Sequence, residues 1–277
     1  MLNLMYITNN PEIALIAQEC GVNRIFVDME YLGKEVRQSG MDTVKLHHTI
    51  KDIQTLRPIL NKAELLVRVN PIHDAIGQVE SSKEEIDNAI NAGADILMLP
   101  MVKTKQEAEK FVEYVGGRAK TMLLIETAEA NENIDQILEV QGIDEIHVGL
   151  NDMHLAYKKR FMFELLVDGT VERLCKKFKE KGIPYGFGGI ASLGKGAIPA
   201  EKVIAEHYRL GSTGAILSRS FCNINLITDI DRVSAIFDVG LKEIRAWEQK
   251  CENGNVDFIE NKKQIKISVE QVLKSIG

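Results

Sequence analysis

Two acids stand where apolar runs stop. Met122-Leu123-Leu124-Ile125 ends at Glu126, and the run from Ile143 to Val148 ends at Gly149, with Asp152 just beyond. A helical pattern through Ile134, Ile137 and Leu138 separates them. The order is strand, acid, helix, strand, acid. Parallel neighbouring strands in one sheet bring both acids to the same carboxyl edge. Two carboxylates converging there suit a hard divalent cation, Mg2+ or Mn2+, which takes its other ligands from water and substrate. The competing reading has Glu126 cap the following helix and Asp152 fix a turn.

Other strand ends supply the rest of a site. Leu66-Val67-Arg68 places a guanidinium where it faces the carboxylate pair, and an arginine grips a planar carboxylate with two parallel hydrogen bonds. A 2-oxo acid would bridge the two features, its carboxylate and keto oxygens on the metal and Arg68 beside the developing enolate charge. Asn151 adjoins Asp152. Gly188 and Gly189 follow an apolar run and let backbone approach a ligand, or simply form a tight turn. Arg219, after Ala215 to Leu217, completes an anion pocket with Arg68 or pairs with a neighbouring acid. Among the histidines, His154 sits just past Asp152, while His73 and His207 read as surface residues.

The elements that must position these residues repeat. Strands are expected at Leu2 to Ile7, Arg24 to Val27, Glu64 to Val69, Asp95 to Leu99, Met122 to Ile125, Ile143 to Val148, Ile183 to Phe187 and Thr213 to Leu217. Helical patterns lie between them. Pro11-Glu12 opens one, Ser81 or Ser82 with Glu84 and Glu85 opens another as a capping box, and Gly93 and Gly116 end two. Eight strands alternating with helices, several of them continuously apolar, predict an α/β fold of the (β/α)8 TIM barrel type. The barrel is expected over residues 1–250, and residues 251–277 form a C-terminal helical extension with a helix at Val269 to Ile276. No G-x-G-x-x-G follows the first strand, which argues against a dinucleotide-binding sheet. The connection from Tyr31 to His48 is too long for an ordinary βα loop.

Composition limits the function. A net charge of −6, 45% apolar residues and no basic run describe a soluble globular chain with no nucleic-acid partner. No apolar stretch approaches membrane-spanning length, and the N-terminus lacks a basic, apolar leader. Cys20, Cys175, Cys222 and Cys251 are scattered, so neither a disulfide framework nor structural zinc is indicated and a cytoplasmic setting fits.

Taken together, Phe26-Val27-Asp28-Met29-Glu30, Leu66-Val67-Arg68-Val69-Asn70, Ala92 to Val102, Leu124-Ile125-Glu126-Thr127 and Gly149-Leu150-Asn151-Asp152-Met153 resemble the HpcH/HpaI aldolase and citrate lyase family of metal-dependent aldolases. The resemblance runs over roughly residues 12–220. It implies a TIM barrel, a divalent metal on Glu126 and Asp152, Arg68 beside the keto oxygen of a small oxo acid, and homo-oligomers. The implied activity is carbon–carbon lyase chemistry on a 2-oxo acid through a pyruvate-type enolate. The short connection from Thr104 to Lys120 is nearer the citrate lyase branch, which leaves citryl-CoA or malyl-CoA cleavage as an alternative. In the aldolase branch a histidine follows the Asp-x-Glu of strand two, and here Tyr31 stands in its place. His48, with His47 beside it, is the expected replacement for that base, since an imidazole titrates near neutrality. A chain without the base would instead be a metal and oxo-acid sensor or scaffold.

Overall fold

A computed structural model describes residues 1–33 and 48–276. His47 therefore lies outside the described residues, together with most of the long connection after Tyr31. The strands are β1 (Asn3–Ile7), β2 (Arg24–Asp28), β3 (Glu64–Arg68), β4 (Ile96–Leu99), β5 (Lys120–Ile125), β6 (Glu145–Val148), β7 (Tyr185–Ile190) and β8 (Gly214–Leu217). They pair in parallel in sequence order, and β1 pairs with β8 to close the barrel. A (β/α)8 barrel is thus the fold.

Alternation along the strands divides the apolar residues between two layers. One set, Met5, Phe26, Leu66, Ile96, Met98, Met122 and Leu124, forms a small cluster of its own filling the barrel. The intervening residues, such as Ile25, Val27, Leu65, Val67, Leu97, Leu123 and Ile125, belong to the larger cluster that the helices cover. The amino end of the barrel is closed by ions. Arg24, 4% exposed, bonds both Glu145 oxygens at 2.6 and 2.7 Å and Glu64 at 3.0 Å.

The helices start and stop where their capping residues dictate. Thr104 opens Lys105–Val115 as a capping box with Glu107, and Gly116 at φ 58° ends it. Ser81 and Glu84 do the same for Ser82–Ala92, which ends at Gly93 with φ 110°. The C-terminal helix is longer than the periodicity suggests, Phe258–Ser275, and Asp257 caps it. Its start is polar, and its buried side consists of few residues, Ile265 and Val269. No helix among the described residues is long and apolar enough to cross a membrane.

Two local expectations change. Gly188 and Gly189 do not lie past the end of the seventh strand; β7 runs through them to Ile190, with a register irregularity between Gly186 and Gly189. A short helix, Leu150–Ala156, begins directly after β6. Only two apolar residues, Leu150 and Met153, mark its buried side before His154, too short a pattern to separate from a loop.

Candidate functional site

The carboxyl ends of β2, β3 and β5 and the helix after β6 converge on one group of charges. Register places Asp28 of β2 directly opposite Arg68 of β3. The two join in a bidentate ion pair: Arg68 Nε donates to Asp28 Oδ1 and Nη2 to Asp28 Oδ2, both at 2.8 Å. Arg68 Nη1 reaches Glu30 Oε2 at 3.3 Å. From below, Phe26 of the barrel interior presents its ring 5.7 Å from the guanidinium carbon. Two of the five N–H groups of the guanidinium are hydrogen-bonded to Asp28, and Nη1 makes an ion pair with Glu30. Burial opposes the charge, but Asp28 and Glu30 outweigh it and hold Arg68 above its ordinary range.

Glu126 directly follows β5 and is 2% exposed. Its Oε1 accepts the Met101 N–H at 3.0 Å. Met101 is a non-glycine residue at φ 54°, and that turn of the chain directs its amide back to the carboxylate. Burial first, and the charge of Asp152 second, push the Glu126 carboxyl up to about 8; Arg68 and the Met101 amide pull the other way. Asp152 stands in the first turn of the helix Leu150–Ala156, capped by Gly149. Gly149 has no room for a side chain, since a Cβ there would lie 2.6 Å from Glu126 Oε2. The missing side chain is what lets the start of this helix close on Glu126.

The structure brings Arg68, Glu126 and Asp152 within electrostatic reach, since Glu126 acts on Arg68 and Asp152 acts on Glu126. Asn151 lies beside Asp152 on the exposed side of the same turn. Gly188, at φ 52°, packs where a Cβ would strike Leu150 at 2.6 Å, so it serves the contact between β7 and that helix. Its carbonyl lies 3.1 Å from His147 Nε2. Gly189 adjoins Ser218 of the turn after β8. Arg219 lies exposed on that turn rather than buried with Arg68. His154 is 9% exposed, with its Nδ1 buried and unpaired. His207 is 0% exposed, against its reading as a surface residue; it stacks on Phe187 at 3.8 Å, and burial depresses its pKa to about 3.

His48 stands against the end of β2. The ring is 7% exposed, and Nδ1 accepts the backbone N–H of Asp28 at 3.0 Å. A neutral ring that accepts at Nδ1 carries its hydrogen on Nε2. The lone pair that a proton would join is the one facing Asp28 N–H, so this geometry opposes His48 as a general base.

Sequence reasoning missed Asp28 and Glu30 as the partners of Arg68. The Asp-x-Glu spacing at the end of β2 was the available signal, because residues two apart in extended chain share a face. Among the described residues no group of three or more His, Cys, Asp or Glu side chains is arranged to hold a metal ion. Glu126 and Asp152 offer two carboxylates, and the charge of Asp152 raising the buried Glu126 carboxyl fits a hard cation.

Fold and rim together define a parallel (β/α)8 barrel with a cluster of acidic residues at its carboxyl end. The family model for HpcH/HpaI aldolase/citrate lyase matches residues 3–164, which include Arg68, Glu126 and Asp152. The chain belongs to that family. A 2-keto-3-deoxy-L-rhamnonate aldolase of Shigella dysenteriae serotype 1 (strain Sd197) is 26% identical over a match covering 42% of this chain and 55% of that protein. The chain thus spans about half the length of the curated relatives it matches. An HpcH/HpaI aldolase from Desulfitobacterium hafniense DCB-2 has the same fold, with a TM-score of 0.59, 18% identity and coverage of 78% of this chain and 86% of that one. The citrate synthase SbnG gives a TM-score of 0.59 at 15% identity, covering 84% of this chain and 92% of that one.

Proposed function

We propose that the chain is a divalent-metal-dependent carbon–carbon lyase that cleaves a 4-hydroxy-2-oxo acid through a pyruvate-type enolate. The observation that carries this reading is the buried Glu126, paired with Asp152 and facing an Arg68 already locked by Asp28 and Glu30. Family membership and the aldolase relative support it.

Glu126 and Asp152 are the residues that would hold Mg2+ or Mn2+. The bound cation would supply charge to polarise the keto and carboxylate oxygens. Arg68 contributes N–H groups not bonded to Asp28 to the oxygen on which negative charge develops as the bond between C3 and C4 breaks. The electron pair of that bond passes into the enolate, the C4 hydroxyl gives its proton to solvent water as C4 becomes an aldehyde carbon, and water later returns a proton to the enolate carbon. Since Asp28 holds Arg68 before substrate arrives, little reorganisation is needed at the moment of reaction. Homo-oligomerisation belongs to the same reading, and sedimentation equilibrium measures it.

The test requires no knowledge of the aldehyde. In D2O with Mn2+, the protein should exchange the methyl protons of pyruvate, and Glu126→Gln and Asp152→Asn should both abolish exchange and weaken Mn2+ binding. Wild-type binding in both variants would refute the site. Tight, metal-dependent binding of oxo acids with neither exchange nor cleavage would favour a sensor.

A further inference from the structure

The end of β2 is held at every backbone donor. Asp28 N–H donates to His48 Nδ1 at 3.0 Å, Met29 N–H to the Arg68 carbonyl at 3.0 Å and Glu30 N–H to Asp28 Oδ1 at 3.3 Å. Tyr31 and Leu32 N–H both donate to Asn70 Oδ1 at 2.9 Å. Asn70 is itself fixed by Glu85, whose Oε1 accepts from Asn70 Nδ2 at 2.8 Å. The segment carries the two acids that grip Arg68, and neither acid is more than 2% exposed. Arg68 thus takes its position from Asp28, and Asp28 takes part of its own from His48.

From this chain of contacts we infer that His48 is a positioning residue: as the acceptor for the Asp28 amide, it sets the carboxylate that sets Arg68. The inference rests on the lyase reading for its effect on turnover, but its geometry stands apart from it. Without the acceptor, the Asp28 N–H is left buried and unpaired, and the strand end must move to find a partner. The bidentate pair carries Arg68 with it. A displacement of about 1 Å at a catalytic group costs on the order of 10²-fold in rate. Proton uptake plays no part, because the lone pair of Nδ1 already faces a donor.

The experiment compares His48→Ala with His48→Asn, whose amide oxygen can accept the same N–H while offering no base. Three readouts are taken on each full-length protein: pyruvate proton exchange in D2O with Mn2+, Mn2+ affinity by calorimetry, and nitrogen-15 NMR of the histidine rings and of Arg68 Nε. The expected result is a loss of exchange on the order of 10²-fold in His48→Ala, confined to kcat, with Mn2+ affinity unchanged. His48→Asn keeps most of the exchange. The wild-type ring appears as the Nε2–H tautomer, and the Arg68 Nε–H resists hydrogen exchange in wild type and His48→Asn but not in His48→Ala. Wild-type turnover in His48→Ala, loss in both variants with rescue by added imidazole, or an Nδ1–H ring would each overturn the inference. If the wild-type protein exchanges no oxo acid, the lyase reading fails alone. The NMR readouts then still decide what His48 does to Arg68.

Discussion

Replacing Gly149 by alanine tests the assembly of the site with one methyl group. Gly149 sits at φ −81° and ψ 90°, a backbone open to other residues, so the substitution probes space and not backbone strain. The new Cβ would lie 2.6 Å from Glu126 Oε2, 2.8 Å from Glu126 Cβ and 3.3 Å from Leu124 Cδ1. Ordinary contact begins at 3.4 Å, so the carboxylate oxygen must retreat by about 0.8 Å and Glu126 Cβ by about 0.6 Å. The oxygen can swing on its side chain, but Cβ is tied to the backbone of β5. Relief therefore separates β5 from the start of Leu150–Ala156 and carries Glu126 away from Asp152. Overpacking of this kind costs about 1–3 kcal/mol of stability. At about 10² in rate for each ångström, exchange should fall on the order of 30-fold. Calorimetric titration of Mn2+, pyruvate exchange in D2O and thermal denaturation measure the three effects. Gly214→Ala is the control, because its Cβ would meet nothing closer than 3.6 Å. If Gly149→Ala folds with wild-type stability, binds Mn2+ normally and exchanges pyruvate at the wild-type rate, Glu126 and Asp152 do not work as one site.

Further predictions concern charge. The Glu126 carboxyl stands at about 8 against an ordinary 4.5, so between these values the folded protein binds a proton that the unfolded chain has released. Metal-free stability should then fall as pH rises through that window, by up to about 5 kcal/mol at about 1.4 kcal/mol for each pKa unit. Glu126→Gln should flatten the slope in urea denaturation, and an unchanged slope would show that another group is responsible. Asp28→Asn turns an N–H toward an Arg68 donor in place of an acceptor, and should cut exchange at least about tenfold while leaving Mn2+ affinity intact; a matching loss of affinity would mean that Asp28 belongs to the metal site. At the other end of the barrel, Arg24→Ala leaves Glu145 without its bidentate partner and should cost about 3 kcal/mol in denaturant unfolding. A loss within error of zero would mean that water replaces the guanidinium there.

Much of this was open to a reader of the sequence because strands buried on both faces announce themselves. Leu123 to Ile125 and Leu97 to Leu99 are continuous apolar runs, and the first of them ends on Glu126, the residue that matters. Arg68 and Asp152 could be placed at the carboxyl end for the same reason. The partners of Arg68 were harder to see, because pairing depends on the register that sets Asp28 opposite Arg68, and one strand's sequence does not contain its neighbour's register. His48 was legible as a residue near the site, but its contact with Asp28 was not. An imidazole reads as a base in sequence, whereas its nitrogen here faces a backbone donor that only the fold brings to it. His207 failed in the opposite way. Its helix, Ala200–Leu210, presents Val203, Ile204 and His207 to the barrel, and a polar residue on that stripe was misread as solvent-facing.

Charge is distributed unevenly along the barrel axis, and this gives the acidic end its meaning. At the amino end Arg24 and Lys120 meet Glu64 and Glu145, so cations and carboxylates balance. The middle is the apolar cluster of Met5, Phe26, Leu66, Ile96, Met98, Met122 and Leu124. At the carboxyl end Asp28, Glu30, Glu126 and Asp152 gather around Arg68. Asp28 and Glu30 pair with Arg68, while Glu126 is buried beside the charge of Asp152. Burying Glu126 beside that charge is unfavourable, and its elevated carboxyl is the form that cost takes. A divalent cation would remove the repulsion and expel the proton together. Its affinity should therefore rise with pH up to about 8 and then level off, with protons released on binding below that point. Titrating Mn2+ in buffers of different ionisation enthalpy counts those protons. Binding that releases none at neutral pH would separate the acidic rim from the metal and undo the argument from charge.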